Sequence, residues 1–178
     1  MTDQPMTDQP TIRTQGPGAE TTTLDAVVAA LTADGRTLDV DRDLETFDVA
    51  PLVAGSEPVL GVVLTTGPAV VFYAVRSELV PAAARGAVAG WATRENTQLS
   101  TSALELDLER GMLSLRSGVR LPDVPVSLEV LRSLLRGALD EVESVSLRTG
   151  PAAEAVIASA LEGAAAAETS EPSLEDAR

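Results

Sequence analysis

An α+β fold is predicted by three observations. Two Val-rich runs, Pro58–Leu64 and Ala69–Arg76, flank the turn Thr65-Thr66-Gly67-Pro68 and read as strands. Leu104, Leu106 and Leu108 alternate with acids, and the alternation resumes at Leu113 and Leu115 beyond Glu109-Arg110-Gly111-Met112, which reads as an antiparallel hairpin. After Ser127, Leu128, Leu131, Leu134, Leu135, Ala138, Leu139 and Val142 follow the 3.6-residue spacing of an amphipathic helix. With the remaining segments the order of elements is α-β-β-β-α-β-β-α.

The chain opens with the repeated pentad MTDQP, and polar residues, Pro and Gly continue to Gly18. Such a segment buries too little apolar surface to offset its ordering entropy, so residues 1–20 are expected to be a disordered tail. A first helix fits Thr23–Ala33. Thr22 or Thr23 caps it, Asp25 sits in the first turn, and Leu24, Val27, Val28 and Leu31 share a face before Asp34-Gly35 stops it. Leu38, Val40 and Leu44 then alternate with Asp39, Asp41 and Asp43 as a strand, and Phe47, Val49 and Leu52 form a short piece broken at Pro51. The nearly continuous apolar character of the two Val-rich strands calls for cover on both faces or for a covered dimer interface.

Pro81 suits the first position of a helix over Pro81–Glu95, with Ala84, Ala87, Val88 and Trp91 on one side. Asn96 ends it, either in the left-handed conformation that closes helices or by a hydrogen bond that stitches the helix to the hairpin; a direct ligand role is the alternative. Facing the apolar sets of the hairpin sets Leu108 opposite Leu113 and Leu106 opposite Leu115, around a turn at Arg110-Gly111. The domain is expected to span residues 21–147. Gly150-Pro151 then separates it from an Ala-rich helix, residues 151–166, and residues 167–178 form an acidic disordered tail.

Composition narrows the function. The net charge is -14, every basic side chain is Arg, and residues 58–137 hold eight Arg against seven acids, so the negative charge lies in the flanks. Such a chain is repelled by nucleic acid and by anionic membranes, and no partner of either kind is expected. With 44% hydrophobic residues but only four aromatic ones, the core must be mainly Leu, Val and Ala. The chain has neither Cys nor His, which removes disulfides, thiolate nucleophiles, the common zinc sites and imidazole acid–base chemistry. No apolar leader or membrane-length run is present, so the cytoplasm is the expected location.

Few residues invite chemistry. Asp39, Asp41 and Asp43 have the spacing that opens a calcium loop, but Leu44 and Ala50 stand where Gly and an acid are required. Glu105, Asp107 and Glu109 share an exposed strand face, with no apolar pocket to drive their pKa values apart. Ser127 and Ser133 lack a base. The expectation is therefore no enzyme, no cofactor and no metal.

The stretch from Trp91 to Val142 resembles the YbjN-like family. It has a helix ending at Asn96, an alternating strand Leu104–Leu108, an acidic–Gly turn Glu109–Gly111, an L-x-L strand over Leu113–Leu121, and the amphipathic helix Ser127–Val142. The likeness covers residues 81–145 well and 23–80 loosely, and the Ala-rich helix after Pro151 departs from it. Members look like type III secretion chaperones in fold. The resemblance implies an antiparallel sheet with helices packed on it, a homodimer, and a non-catalytic, chaperone-like adaptor that binds an extended peptide or a protein client. On that reading Val70, Phe72, Val88 and Trp91 are expected on a partner or dimer surface, with Asn96 as a structural cap. The alternative is a regulatory module that binds a small ligand or a signalling protein in a pocket near Asn96.

Overall fold

The computed structural model describes residues 22–170 apart from 54, 55, 57, 65, 123 and 125. The expected tails, 1–20 and the end of 167–178, lie outside the described residues. The chain runs α1 (Thr23–Ala33), β1 (Leu38–Asp41), β2 (Thr46–Val49), β3 (Val59–Leu64), β4 (Ala69–Val75), a 3-10 turn (Ala82–Ala84), α2 (Arg85–Asn96), β5 (Ser102–Leu106), β6 (Leu113–Arg120) and α3 (Leu128–Ser170). The six strands form one antiparallel sheet in the order β1-β2-β3-β4-β6-β5.

Local chemistry accounts for the boundaries. Thr22 caps α1, its hydroxyl accepting from the Asp25 N–H while the Asp25 carboxylate accepts from the Thr22 N–H, an arrangement worth about 1 kcal/mol. In the β1–β2 turn the Asp41 carboxylate accepts from the N–H groups of Asp43 and Leu44, and Glu45 takes a positive φ of 54°. The three-aspartate run is thus one strand face plus a turn.

Alternation gives the sheet two faces. Phe47, Val49, Val59, Val63, Val70, Phe72, Leu104, Leu113 and Leu115 lie on one of them and are buried under the helices. Over β1–β4 the cover is Leu24, Val27 and Leu31 of α1 with Leu131, Leu135, Leu139 and Val142 of α3. Over β5–β6 it is Val88, Trp91 and Ala92 of α2 with Val145, Ala153 and Ile157 of α3. The ring pair of Phe47 edge-on to Phe72, with centroids 6.1 Å apart, joins β2 to β4 across Gly61, where any side chain would occupy the space of the Phe47 ring. Arg36, 7% exposed, forks onto the Glu143 carboxylate and fastens the α1–β1 loop to α3.

Four details differ from the sequence reading. First, Thr46–Val49 is a full strand paired on both sides, so four strands rather than three precede α2. Second, Leu106 pairs with Leu113 and Leu104 with Leu115, a shift of two residues that leaves Leu108 exposed in the turn. The turn is set by polar groups, not by the leucines. Asp107 accepts from the N–H groups of Glu109 and Arg110, Gly111 donates back to the Asp107 carbonyl, and the Arg85 guanidinium collects the carbonyls of Leu108, Glu109 and Arg110. Third, α3 does not break at Gly150-Pro151 but runs from Leu128 to Ser170, past the expected start of a disordered tail at 167. Val145 before the proline and Ala153 and Ile157 after it are buried in one cluster, which holds the helix on course. Fourth, Asn96 does not adopt the left-handed cap conformation: it is the last residue of α2, and the helix closes through Thr97 in right-handed geometry.

A groove beneath the middle of α3

Where β4 passes under the middle of α3, small residues face each other. Ala74 sits on the helix-covered face of the sheet, and Ser146 and Gly150 sit on the helix above it. A volume between them is left unfilled. One cavity, about 340 Å³, is floored by Ala74, Leu113 and Leu115, walled by Trp91, and bounded above by Leu147, Pro151 and Ala153. A second, about 250 Å³, continues past Ala74 to Val59 and is flanked by Leu52 and Val53. The two share Ser56, Ala74, Ser146 and Leu147, so together they form one groove along the side of α3.

The lining has an apolar floor and a charged rim. Leu52 (72% exposed), Val53 (52%) and Leu147 (53%) all stand on it, an unusual concentration of uncovered aliphatic side chains. Asp140, Glu143, Glu78 and Glu154 supply acids at the rim. Among the described residues Arg76 is the one cation there, and it is paired with Glu78 at 2.9 Å. Pro151 adds a backbone feature. Having no N–H, it cannot bond the Leu147 carbonyl as residue 151 of a regular helix would, and both residues line the groove.

The residues expected on a partner surface are elsewhere. Val70, Phe72 and Val88 have no exposed surface and Trp91 has 6%; all four are core of this chain. For β4 the error is one of parity, since neighbouring residues on a strand face opposite ways: Val70 and Phe72 point beneath the helices, and Val71 and Tyr73 occupy the opposite face. Val88 and Trp91 are covered by the second half of α3, which the sequence reading had detached. Trp91 alone reaches the groove. Asn96 does not line it: its side chain donates to the Leu104 carbonyl at 3.0 Å and accepts from the Leu104 N–H at 2.7 Å. Leu147 carried a legible signal, a leucine off the buried stripe of an amphipathic helix, whereas nothing marked Ala74 or Ser146.

The carboxyls held below their ordinary range lie away from the groove. Asp25 is lowered first by its bond from Arg42 and then by Thr22, and Asp107 by the backbone and side chain of Arg110. Both serve a helix cap and a turn. Among the described residues no cluster of three or more His, Cys, Asp or Glu is arranged to hold a metal ion, and no helix is long and apolar enough to cross a membrane.

No family model and no curated protein sequence matches the chain. Among solved structures it is similar to YbjN from E. coli, a proposed transcription regulator, with a TM-score of 0.57 and 16% identity over 76% of this chain and 93% of that one. A chain of the HopA1-SchA chaperone-effector complex aligns with a TM-score of 0.41 and 13% identity, over 68% of this chain and 88% of that one. The chain has a YbjN-like α+β fold, and the likeness is one of fold.

Proposed function

We propose that the protein is a non-catalytic adaptor of the cytoplasm that holds an extended, apolar segment of a client protein in the groove along α3. The observation that carries this reading is the gathering of Leu52, Val53 and Leu147, all more than half exposed, around one apolar-floored channel. A channel formed by two cavities end to end suits an extended chain better than a compact ligand. The rim, where Arg76 is already paired and Asp140 and Glu154 remain, favours a segment with basic residues beside its apolar ones. The Leu147 carbonyl offers an acceptor for a client N–H.

A second reading is favoured by one observation. The larger cavity, about 340 Å³, has the size of a small-ligand site, so a regulatory module that binds a metabolite fits the same place.

The test is photo-cross-linking from position 147 in cells, with position 128 as an exposed control on the same helix. Retained proteins are identified by mass spectrometry and challenged with untagged protein and with Val53→Asp, a change on the opposite side of the groove. One or two proteins captured from position 147 alone, and lost when Val53→Asp is added, support the adaptor. Capture that is equal from both positions, or unaffected by Val53→Asp, overturns it. Capture of nothing, together with thermal stabilisation by a small metabolite, moves the assignment to the second reading.

A further inference from the structure

The two halves of α3 are held in different ways. Before Pro151 the helix buries Leu131, Leu135, Leu139, Val142 and Val145. Polar bonds add to that grip. Arg136 donates through Nε to Asp34 at 2.9 Å, the Ser102 hydroxyl donates to Glu141 at 2.9 Å, and Arg36 forks onto Glu143. After Pro151 the buried positions among the described residues are Ala153 and Ile157, with Val156 and Ala160 packed at their margin. Among the described residues no hydrogen bond or ion pair ties residues 151–164 to another element. None of residues 161–167 is buried, so the helix runs on for about 10 Å past its seat.

The second half therefore rests on a narrow ridge. On one side the groove reaches in to Trp91, Pro151 and Ala153. On the opposite side an open hollow of about 520 Å³ lies between Gly86 and Gly90 of α2 and Ala155, Ser159 and Ala160 of α3. The joint between the halves is Gly150-Pro151, the two poorest helix formers in sequence, where the bond from residue 151 to the Leu147 carbonyl is missing. We propose that the part of α3 after Pro151 is a displaceable occupant of a helix-binding seat, and that an amphipathic helix of another protein takes its place on Val88 and Trp91 of α2 and Leu104 and Leu115 of the sheet.

The seat states what such a helix carries. Ala153 and Ala160 leave the space beside them unfilled, so leucine at those two places would bury more apolar surface than the chain's own helix does. Arg94 lines the hollow with Ser159, and among the described residues no ion pair engages it, so an acid in the place of Ser159 would gain a partner. The chain's own helix has the advantage of attachment, equivalent to a concentration of about millimolar for a short connection. A competitor needs the added contacts to overcome it. The inference stands whether or not the groove takes a client.

The first measurement uses the absence of cysteine from the chain. Three buried alanines report on three places: Ala30 under the first half of α3, Ala92 in the seat, and Ala153 on the displaced helix. Each is changed singly to cysteine in the full chain, and thiol labelling is timed relative to the same variant unfolded in urea. Ala92→Cys and Ala153→Cys should label at one rate, at least about a hundredfold faster than Ala30→Cys, and that rate should barely change in low urea. Hydrogen exchange on the unsubstituted chain, comparing amides 153–157 with 135–139, gives the same contrast if a cysteine disturbs the fold. Equal opening at all of these places overturns the proposal.

The second measurement is fluorescence anisotropy with a labelled peptide of residues 151–170 that carries Ala153→Leu, Ser159→Glu and Ala160→Leu. The full chain with Ile157→Ala, whose own helix is loosened, should bind it at least about tenfold more tightly than the wild type does. Adding Arg94→Glu to that chain should weaken binding about tenfold. Absence of binding, equal binding to the wild type and to Ile157→Ala, or binding indifferent to Arg94→Glu overturns the proposal.

Discussion

The side chain of Asn96 closes both open backbone groups of Leu104, donating through Nδ2 to its carbonyl at 3.0 Å and accepting at Oδ1 from its N–H at 2.7 Å. β5 is an edge strand, and at Leu104 its outward N–H and carbonyl would otherwise be a template for another chain. The amide stands in for one residue of a missing strand. Asn96→Asp keeps the acceptor but sets a carboxylate oxygen against a carbonyl, and Asn96→Leu leaves both groups bare. Each should cost about 1–3 kcal/mol in urea unfolding and speed hydrogen exchange at the Leu104 amide. Unchanged exchange at that amide would show that the bond is dispensable.

Glycine substitutions should divide by position. Gly111 has a φ of +81°, and a methyl group there would run into the Val80 carbonyl and the Arg85 guanidinium that organises the turn. Gly61 has no room beneath the Phe47 ring. Gly137, inside α3, has nothing within 4 Å of where its Cβ would lie. Gly111→Ala and Gly61→Ala should therefore lose about 2 kcal/mol or more, and Gly137→Ala should gain about 1 kcal/mol, read as midpoints of denaturant unfolding.

What the sequence made legible was whatever depended on neighbours in the chain. The bounds of α1 followed from Thr22, Asp25 and Asp34-Gly35, and the alternation of Leu104 and Leu106 identified β5. What it concealed depended on distant residues. The β5–β6 register looked fixed by leucine matching, yet Arg85, more than twenty residues away, holds the turn that moves Leu108 out of the ladder. Val70 and Val71 are chemically identical, so nothing local says which one faces the helices. Gly150-Pro151 carries a strong stop signal that packing of Ile157 overrides. The groove was hidden for the same reason, since its defining residue, Ala74, matters only because of what lies across from it.

Acid should loosen the β5–β6 turn before it unfolds the domain. The Asp107 carboxyl is held below its ordinary value, first by the Arg110 N–H and then by the Arg110 side chain. Its folded pKa is thus lower than its unfolded one, so its contribution is complete above the unfolded value of about 3.9 and fades as pH falls through the lower native value. The stability difference between wild type and Asp107→Ala should hold constant from neutral pH to about pH 5 and shrink below about pH 4. A difference that stays constant to pH 2 would assign the turn to Arg85 and Gly111 alone.

Pro151 sets stability against the groove. A proline in a helix interior gives up one hydrogen bond and crowds the carbonyl four residues earlier, at a cost of about 3 kcal/mol. Here α3 continues through it because Val145, Ala153 and Ile157 are anchored with Trp91 and Val88 beneath. Pro151→Ala should restore the bond to Leu147 and raise the unfolding midpoint by the equivalent of about 1–3 kcal/mol. The same change occupies the carbonyl of Leu147, a residue that lines the groove, so capture of a client from position 147 should fall while the fold becomes firmer. A variant that is more stable and captures equally well would separate the proline from binding. One that is less stable would show that the ring packs as part of the groove wall, where Trp91 and Ala153 also stand.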